Sequence, residues 1–436
     1  MTSARRLWVV VFTFAGCTTI GSSPLLTPAF IADDSDQQQV DGGSARTLTL
    51  PRAPEIRGLW VVRFTMTNES RVRQMVEQAA EAGFNTLIVQ VRGRGDAFYQ
   101  SELEPKGQAI DGPDDFDPLA LAIEEAHRRG IAVHAWVNTH LVWGPAAPPE
   151  SIDHLLNTHP EWLAVPRGLS EELFNLDPSD SRFVPALRKY AADRPTTVEG
   201  IYTSPSHPEV QERILAIWMD LLERYHLDGI HFDYIRFPSA EFDYSRGALE
   251  RFQAWVRPRL GVARLAELDR AVGRDPFVFV NNLPSEWAEF RRFQITKLVE
   301  DIYREIKARK PQVTVSAAVV ADFEVAYGAR FQDWQSWLSD GIIDVAVPMA
   351  YTRDRERFQS FVRMARAAAG SRQQVWAGLG SYMNTAEGTL EQIELARSED
   401  VGGIILFSYD WATGEGRGDP DDPFLQKVGR ESFNFR

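Results

Sequence analysis

The stretch Leu227 to Pro238, LDGIHFDYIRFP, places an imidazole and a carboxylate at alternate positions of an apolar run. In a strand, alternate side chains share a face, so Ile230 and Phe232 point one way and His231 and Asp233 the other. Aspartate is disfavoured in strands and costly to bury unpaired, so Asp233 needs a strong partner or a chemical task. The task it suits is proton donation. Burial against Tyr234 and other rings raises its pKa toward neutrality, whereas Arg92 or Arg236 nearby lowers it. A structural aspartate held by an arginine is the competing reading.

Residues of equally mixed chemistry stand at the ends of the other apolar runs: Gln90 and Arg92, His134, Trp136 and Asn138, Met349 and Tyr351, Gly380 and Tyr382, then Tyr409, Asp410 and Trp411. Any one of them is commonly core or half of a salt bridge. Together they supply flat rings, amides, bases and acids, which is what a sugar cleft requires. The substrate-binding candidates are therefore Gln90, Arg92, Trp136, Asn138, His231, Tyr234, Arg236, Tyr351, Tyr382, Tyr409 and Trp411. The catalytic candidates are Asp233 as acid and Asp410 as its partner, with Asp322 and Glu324 as runners-up. Asp410 reads equally well as a cap of the loop before Gly414.

The elements that must position these residues follow from hydrophobic period. From Glu55 onward short apolar runs alternate with amphipathic helical stretches, the pattern of repeated βα units on a parallel sheet. The expected strands are Ile56 to Val62, Asn85 to Arg92, Ala132 to Asn138, Gly229 to Tyr234, Val313 to Val320, Ile343 to Tyr351, Gln374 to Tyr382 and Gly403 to Tyr409. Helical patterns between them include Glu69 to Ala82, Pro118 to Arg129, Pro208 to Tyr225, Trp287 to Lys310, Arg355 to Ala369 and Leu390 to Ser398. Eight such units predict an α/β fold, a single (β/α)8 TIM barrel over 55–436 with long βα-loop insertions at Leu141 to Ser206 and Pro238 to Ser285. No G-x-G-x-x-G turn follows the first strand and no P-loop motif occurs, which argues against a doubly wound nucleotide fold.

The N-terminus reads as a processing signal. Arg5 and Arg6 precede the apolar run Leu7 to Phe14, then Ala15, Gly16 and Cys17, the one cysteine of the chain. The run is too short to span a bilayer. The segment resembles a bacterial lipobox, which makes 1–17 a lipoprotein signal peptide and Cys17 the lipidated residue. Thr18 behind it is what that resemblance associates with outer-membrane sorting. Residues 18–54, rich in Ser, Asp, Gln, Gly and Pro, read as a flexible tether. With 25% charged and 44% hydrophobic residues the chain as a whole has an ordinary globular composition, and a formal net charge of −14 argues against nucleic acid as a partner.

Several of these segments also carry a family likeness. Arg57-Gly58-Leu59-Trp60-Val61, Val89-Gln90-Val91-Arg92 with Gly95-Asp96-Ala97-Phe98-Tyr99, His159-Pro160-Glu161-Trp162-Leu163, and above all Asp228-Gly229-Ile230-His231-Phe232-Asp233-Tyr234 resemble the glycosyl-hydrolase-like 10 family. The likeness continues through Lys310-Pro311, Trp337-Leu338 and Gly341-Ile342-Ile343-Asp344 to Pro348-Met349-Ala350-Tyr351, with Met349 where the family commonly has Gln. It implies a bacterial envelope (β/α)8 protein similar to peptidoglycan glycan-strand hydrolases, with a polysaccharide substrate and no cofactor. Asp233 also matches the acetamide-positioning acid in the D-G-x-D-x-D-x-E element of chitinases, while His231 replaces the middle acid and Ile235 the glutamate that is that family's usual general acid. His231, Asp233 and His134 are too few for a metal centre, and no H-x-H or H-E-x-x-H spacing occurs. The expected function is hydrolysis of an N-acetylated envelope glycan. A catalytically silent glycan-binding lipoprotein and a hydrolase of another exported polysaccharide stay open. Oligomeric state is left undetermined.

Overall fold

In the computed structural model, which describes residues 54–145, 147–414, 418–419 and 422–433, eight parallel strands close into a barrel. They are β1 (Ile56–Val61), β2 (Thr86–Arg92), β3 (Ala132–Asn138), β4 (Gly229–Asp233), β5 (Thr314–Val320), β6 (Val345–Met349), β7 (Trp376–Leu379) and β8 (Gly403–Phe407), and each pairs with its sequence neighbour, β8 closing on β1. The expected fold is therefore present. The signal segment with Cys17, and the tether up to residue 53, lie outside the described residues.

Alternation along the strands divides the core in two. Outward residues such as Leu59, Val89, Val133, Ile230, Val315 and Ile404 join the helices in one large apolar layer. Inward residues, Trp60, Ile88, Trp136, Ala318, Val347, Trp376 and Ile405 among them, fill the barrel. Three tryptophans fit there because facing positions are small. A Cβ on Gly378 would sit 2.8 Å from the Trp60 ring, and one on Gly229 would sit 2.3 Å from His134 Nδ1.

The helices obey the expected spacing and differ mainly at their ends. Glu69–Glu81 buries Val72, Met75, Val76 and Ala79, and begins where the Asn68 side chain accepts the Arg71 N–H. The helix after the second insertion starts at Pro284, ahead of the expected Trp287, and runs to Arg309. β6 and β7 end sooner than expected, so Tyr351 and Tyr382 stand on the turns beyond them, Tyr382 within the short 3-10 helix Ser381–Met383.

Both long insertions lie at the C-terminal ends of strands. The first carries an antiparallel pair, Leu141–Trp143 with Ile201–Tyr202, over a small core of Val142, Leu163, Val165 and Phe183. The second forms the helices Arg246–Val256, Val262–Val272 and Val278–Asn282 around Phe252 and Trp287. Each has its own apolar cluster, so neither depends on disordered loop.

Candidate functional site

Aromatic rings floor the C-terminal end of the barrel. Phe407, last residue of β8, lies 5.9 Å from Trp60, 6.3 Å from Trp136, 5.5 Å from Tyr351 and 6.0 Å from Tyr382 between ring centroids. Trp411 extends the series, 5.9 Å from Tyr382. The hydroxyls of Tyr234, Tyr351 and Tyr382 bond to no described residue. Burial raises all three phenol pKa values, that of Tyr234 to about 12 with help from Glu199 and Asp233, so at neutral pH they are hydrogen-bond donors.

One wall is a polar knot of interlocked side chains. Asn138 Oδ1 accepts from Trp136 Nε1 at 2.9 Å and Gln90 Nε2 at 3.2 Å, and its Nδ2 donates to Gly93 O at 2.9 Å. Gln90 Oε1 accepts from Arg63 Nη1 at 3.1 Å. A register shift between Gln90 and Arg92 breaks the alternation of β2 there. Arg92, 2% exposed, spends its guanidinium on the Asn138 and Thr139 carbonyls and on Glu104. These placements correct the expectation that Gln90, Arg92 and Asn138 offer polar atoms to a sugar: those atoms hold the strand ends together, and Trp136 retains only its ring face.

β4 carries the functional contrast. His231 is fully buried, accepts from Trp60 Nε1 at 3.1 Å on Nε2, and donates from Nδ1 to Ser316 Oγ at 2.9 Å, whose own hydroxyl donates to Ile230 O. Burial, then His134, keeps its pKa well below the usual imidazole range, so it is neutral. Substrate contact by His231 is thereby corrected to a core role. His134 lies beside Gly229, four residues below the Asn138–Asp233 pair, about 13 Å along the strand, so the possible metal set is not gathered. Among the described residues no group of three or more His, Cys, Asp or Glu could hold a metal ion.

Asp233 sits two residues above His231 on the same face. Its Oδ1 accepts only from the adjoining Tyr234 N–H, at 2.7 Å. Burial pushes its pKa up to about 6, against the opposing pull of Arg236, the Tyr234 N–H and the Trp136 indole. Arg236 does not reach for solvent. It pairs with Glu199 at 3.0 Å and stacks on Tyr234 at 4.7 Å. Glu199, buried and also bonded by Tyr202 Oη at 2.7 Å, stays ionised because Arg236 and Arg330 outweigh the effect of burial. The Arg236 guanidinium is buried and pairs through Nη2 with Glu199, while its Nε and Nη1 meet no acceptor among the described residues, which places it inside the wall and away from the open cleft expected for a sugar-binding residue.

The last expected pair separates. Asp410 accepts from Val62 N at 2.8 Å and Thr65 Oγ1 at 2.6 Å, tying the end of β8 to the end of β1, and burial raises its pKa. Tyr409 turns outward and donates to Gln78 on the first helix at 2.8 Å, so it leaves the cleft. Of the runners-up, Asp322 caps the helix Phe323–Ala329 through the Val325 N–H, and Glu324 lies in that helix's first turn. Sequence reasoning overlooked Arg63, Arg94, Glu199 and Phe407. Arg63, Arg94 and Phe407 stand at or just beyond strand ends, where a strict reading of strand termini finds them. Glu199 lies inside an insertion and carries no local signal.

The profile of the glycosyl hydrolase-like 10 family matches residues 55–173 and 185–379. Glycosyl hydrolase DigH of Escherichia coli K12 is 22% identical over 437 residues, covering 85% of this chain and 86% of DigH. Glycosyl hydrolase YngK of Bacillus subtilis 168 is 22% identical over 299 residues, 64% of this chain, which spans about half (48%) of YngK. The PgaB (BpsB) glycoside hydrolase domain of Bordetella bronchiseptica superposes with a TM-score of 0.57 at 16% identity, covering 86% of this chain and 99% of that domain, and so shares its fold. With barrel, strand-end motifs and most of its length accounted for, the chain belongs to the glycosyl hydrolase-like 10 family.

Proposed function

We propose that the protein is a glycoside hydrolase of an N-acetylated cell-envelope glycan, namely peptidoglycan glycan strands, with Asp233 as general acid. The observation that carries this reading is a carboxyl at the end of β4 that burial brings to about 6, with one oxygen bonded only to the next N–H. A group of that pKa is about half protonated at about pH 6 and about a tenth protonated at about pH 7, so it can donate a proton to a glycosidic oxygen in mildly acidic solution. The rings of Phe407, Tyr382 and Trp411 offer stacking faces, and the hydroxyls of Tyr234, Tyr351 and Tyr382 offer donors.

Asp410 is committed to Val62 and Thr65, and Glu199 to Arg236 and Tyr202. The developing oxocarbenium centre then draws its stabilisation from the substrate's own acetamide, which favours N-acetyl sugars. The same commitment favours a second reading, a silent barrel that binds glycan. For location we propose a lipid anchor at Cys17 and an outer-membrane site facing the periplasm; loss of metabolic lipid labelling in Cys17→Ser tests it.

The deciding experiment is mass spectrometry of products after incubating wild type and Asp233→Asn with purified glycan strands. New reducing ends from wild type alone support the hydrolase. Co-sedimentation with glycan and no fragments from either protein selects the silent barrel.

A further inference from the structure

We propose that Arg63 and Arg94, just beyond the ends of the adjacent strands β1 and β2, form an anion subsite of the cleft that takes a carboxylate carried by the glycan. The inference rests on the hydrolase reading above and adds a substrate class and two specificity residues to it.

Both guanidiniums pack around Gly93. Arg94 Nη1 donates to Gly93 O at 3.2 Å. Arg63 lies so close over the glycine that a Cβ there would be 2.4 Å from its Cδ and 2.8 Å from its Nε. Like charges held this near repel; burial and Arg94 together bring the Arg63 pKa down to about 10. Other arginines at this end avoid such a cost by pairing, Arg92 with Glu104 and Arg236 with Glu199. Among the described residues neither Arg63 nor Arg94 has an ion pair, and their Nε and Nη2 atoms donate to no described acceptor.

The nearby carboxylates do not fill the gap. Asp96 Oδ1 accepts the Arg94 backbone N–H, and Asp410 is occupied by Val62 and Thr65. In a chain of net charge −14, leaving two adjacent guanidiniums without a carboxylate is an arrangement that an arriving anion completes. Arg63 Nη1 reaches Gln90, Gln90 reaches Asn138, and Asn138 is the register partner of Asp233 on β4, so the subsite lies on the same rim as the acid. The chemical class is a sugar bearing an ether-linked or ring carboxylate.

The test measures binding and cleavage by the full chain of three probes: a carboxylate-bearing glycan strand, the same strand with its carboxyls converted to neutral methylamides, and a neutral N-acetylglucosamine hexamer. Wild type is expected to favour the acidic strand over the amide by about tenfold or more. Arg63→Gln and Arg94→Gln each bring that ratio toward one, and Arg94→Lys restores part of it. Melting curves accompany each variant, since Arg63 also supports Gln90. Equal affinity of wild type for acid and amide, or an unchanged ratio in folded glutamine variants, overturns the subsite. Undiminished cleavage of the neutral hexamer in that case leaves the hydrolase reading standing. Failure to bind or cleave any of the three overturns both.

Discussion

Asp233 and Asp410 are two aspartates near strand ends on one rim, the first buried and the second half-buried, both with raised pKa, yet they are wired oppositely. Asp410 has an N–H on one oxygen and a hydroxyl on the other, supplied by β1. Asp233 takes the N–H of its own neighbour on Oδ1 and feels the Trp136 indole, and among the described residues no distant strand or loop fixes donors on both its oxygens. A carboxylate whose lone pairs are taken by fixed donors closes a barrel; one with a spare oxygen in a dry setting is available to move a proton. Residue type and rim are the same in both cases, but Asp233 ends its strand while Asp410 lies three residues past the end of β8, and their partners differ accordingly.

The sharpest break of this comparison is Asp233→Asn, expected to reduce turnover about a thousandfold at constant fold. Release of reducing ends measures it, and retention of a tenth of wild-type turnover would sink the assignment. The same variant has a stability signature. The folded pKa of about 6 exceeds the ordinary 3.8, so Asp233 stabilises the fold fully below about pH 4 and loses that contribution as pH rises through about 6. Asp233→Asn should therefore gain relative stability between pH 4 and 8, on the order of 3 kcal/mol, read from melting temperature against pH. Turnover by wild type should fall on the alkaline side with an apparent pKa near 6.

Glu199→Gln comes next. It leaves Arg236 buried without its partner, at a cost of about 3–5 kcal/mol in denaturant unfolding. It also removes a negative charge that raises the Asp233 pKa while Arg236 continues to lower it, so the alkaline limb moves to lower pH. A limb that stays in place in a folded variant would uncouple the ion pair from the acid.

Asp410→Ala should cost about 1–3 kcal/mol by orphaning the Val62 N–H and the Thr65 hydroxyl, with turnover within about tenfold of wild type. A loss as deep as that of Asp233→Asn would return Asp410 to the chemistry. Smallest is Tyr351→Phe, which removes a hydroxyl with no internal bond. Its KM should rise by about three- to tenfold with no change in melting temperature, whereas Tyr202→Phe, which breaks the bond to Glu199, should lower melting temperature by an amount equivalent to about 1 kcal/mol.

The local pattern of this chain determined the barrel, its strand order and the importance of the β4 end. Period-two runs alternating with period-3.6 runs leave few ways to bury both apolar faces, and an aspartate in a strand is conspicuous wherever the strand goes. The same reasoning found the rim, because strand ends converge there in any such barrel. Tertiary structure alone decided which rim residues are free. His231, Asn138, Gln90 and Arg92 look like ligands of a sugar until Trp60, Ser316, Gly93 and Glu104 arrive from other strands and loops to satisfy them. Tyr409 changes face because the chain turns after Phe407, and Glu199 reaches Arg236 from 37 positions away. A hydrogen bond depends on where two atoms meet in space, and between distant segments that meeting is set by the packing of everything in between.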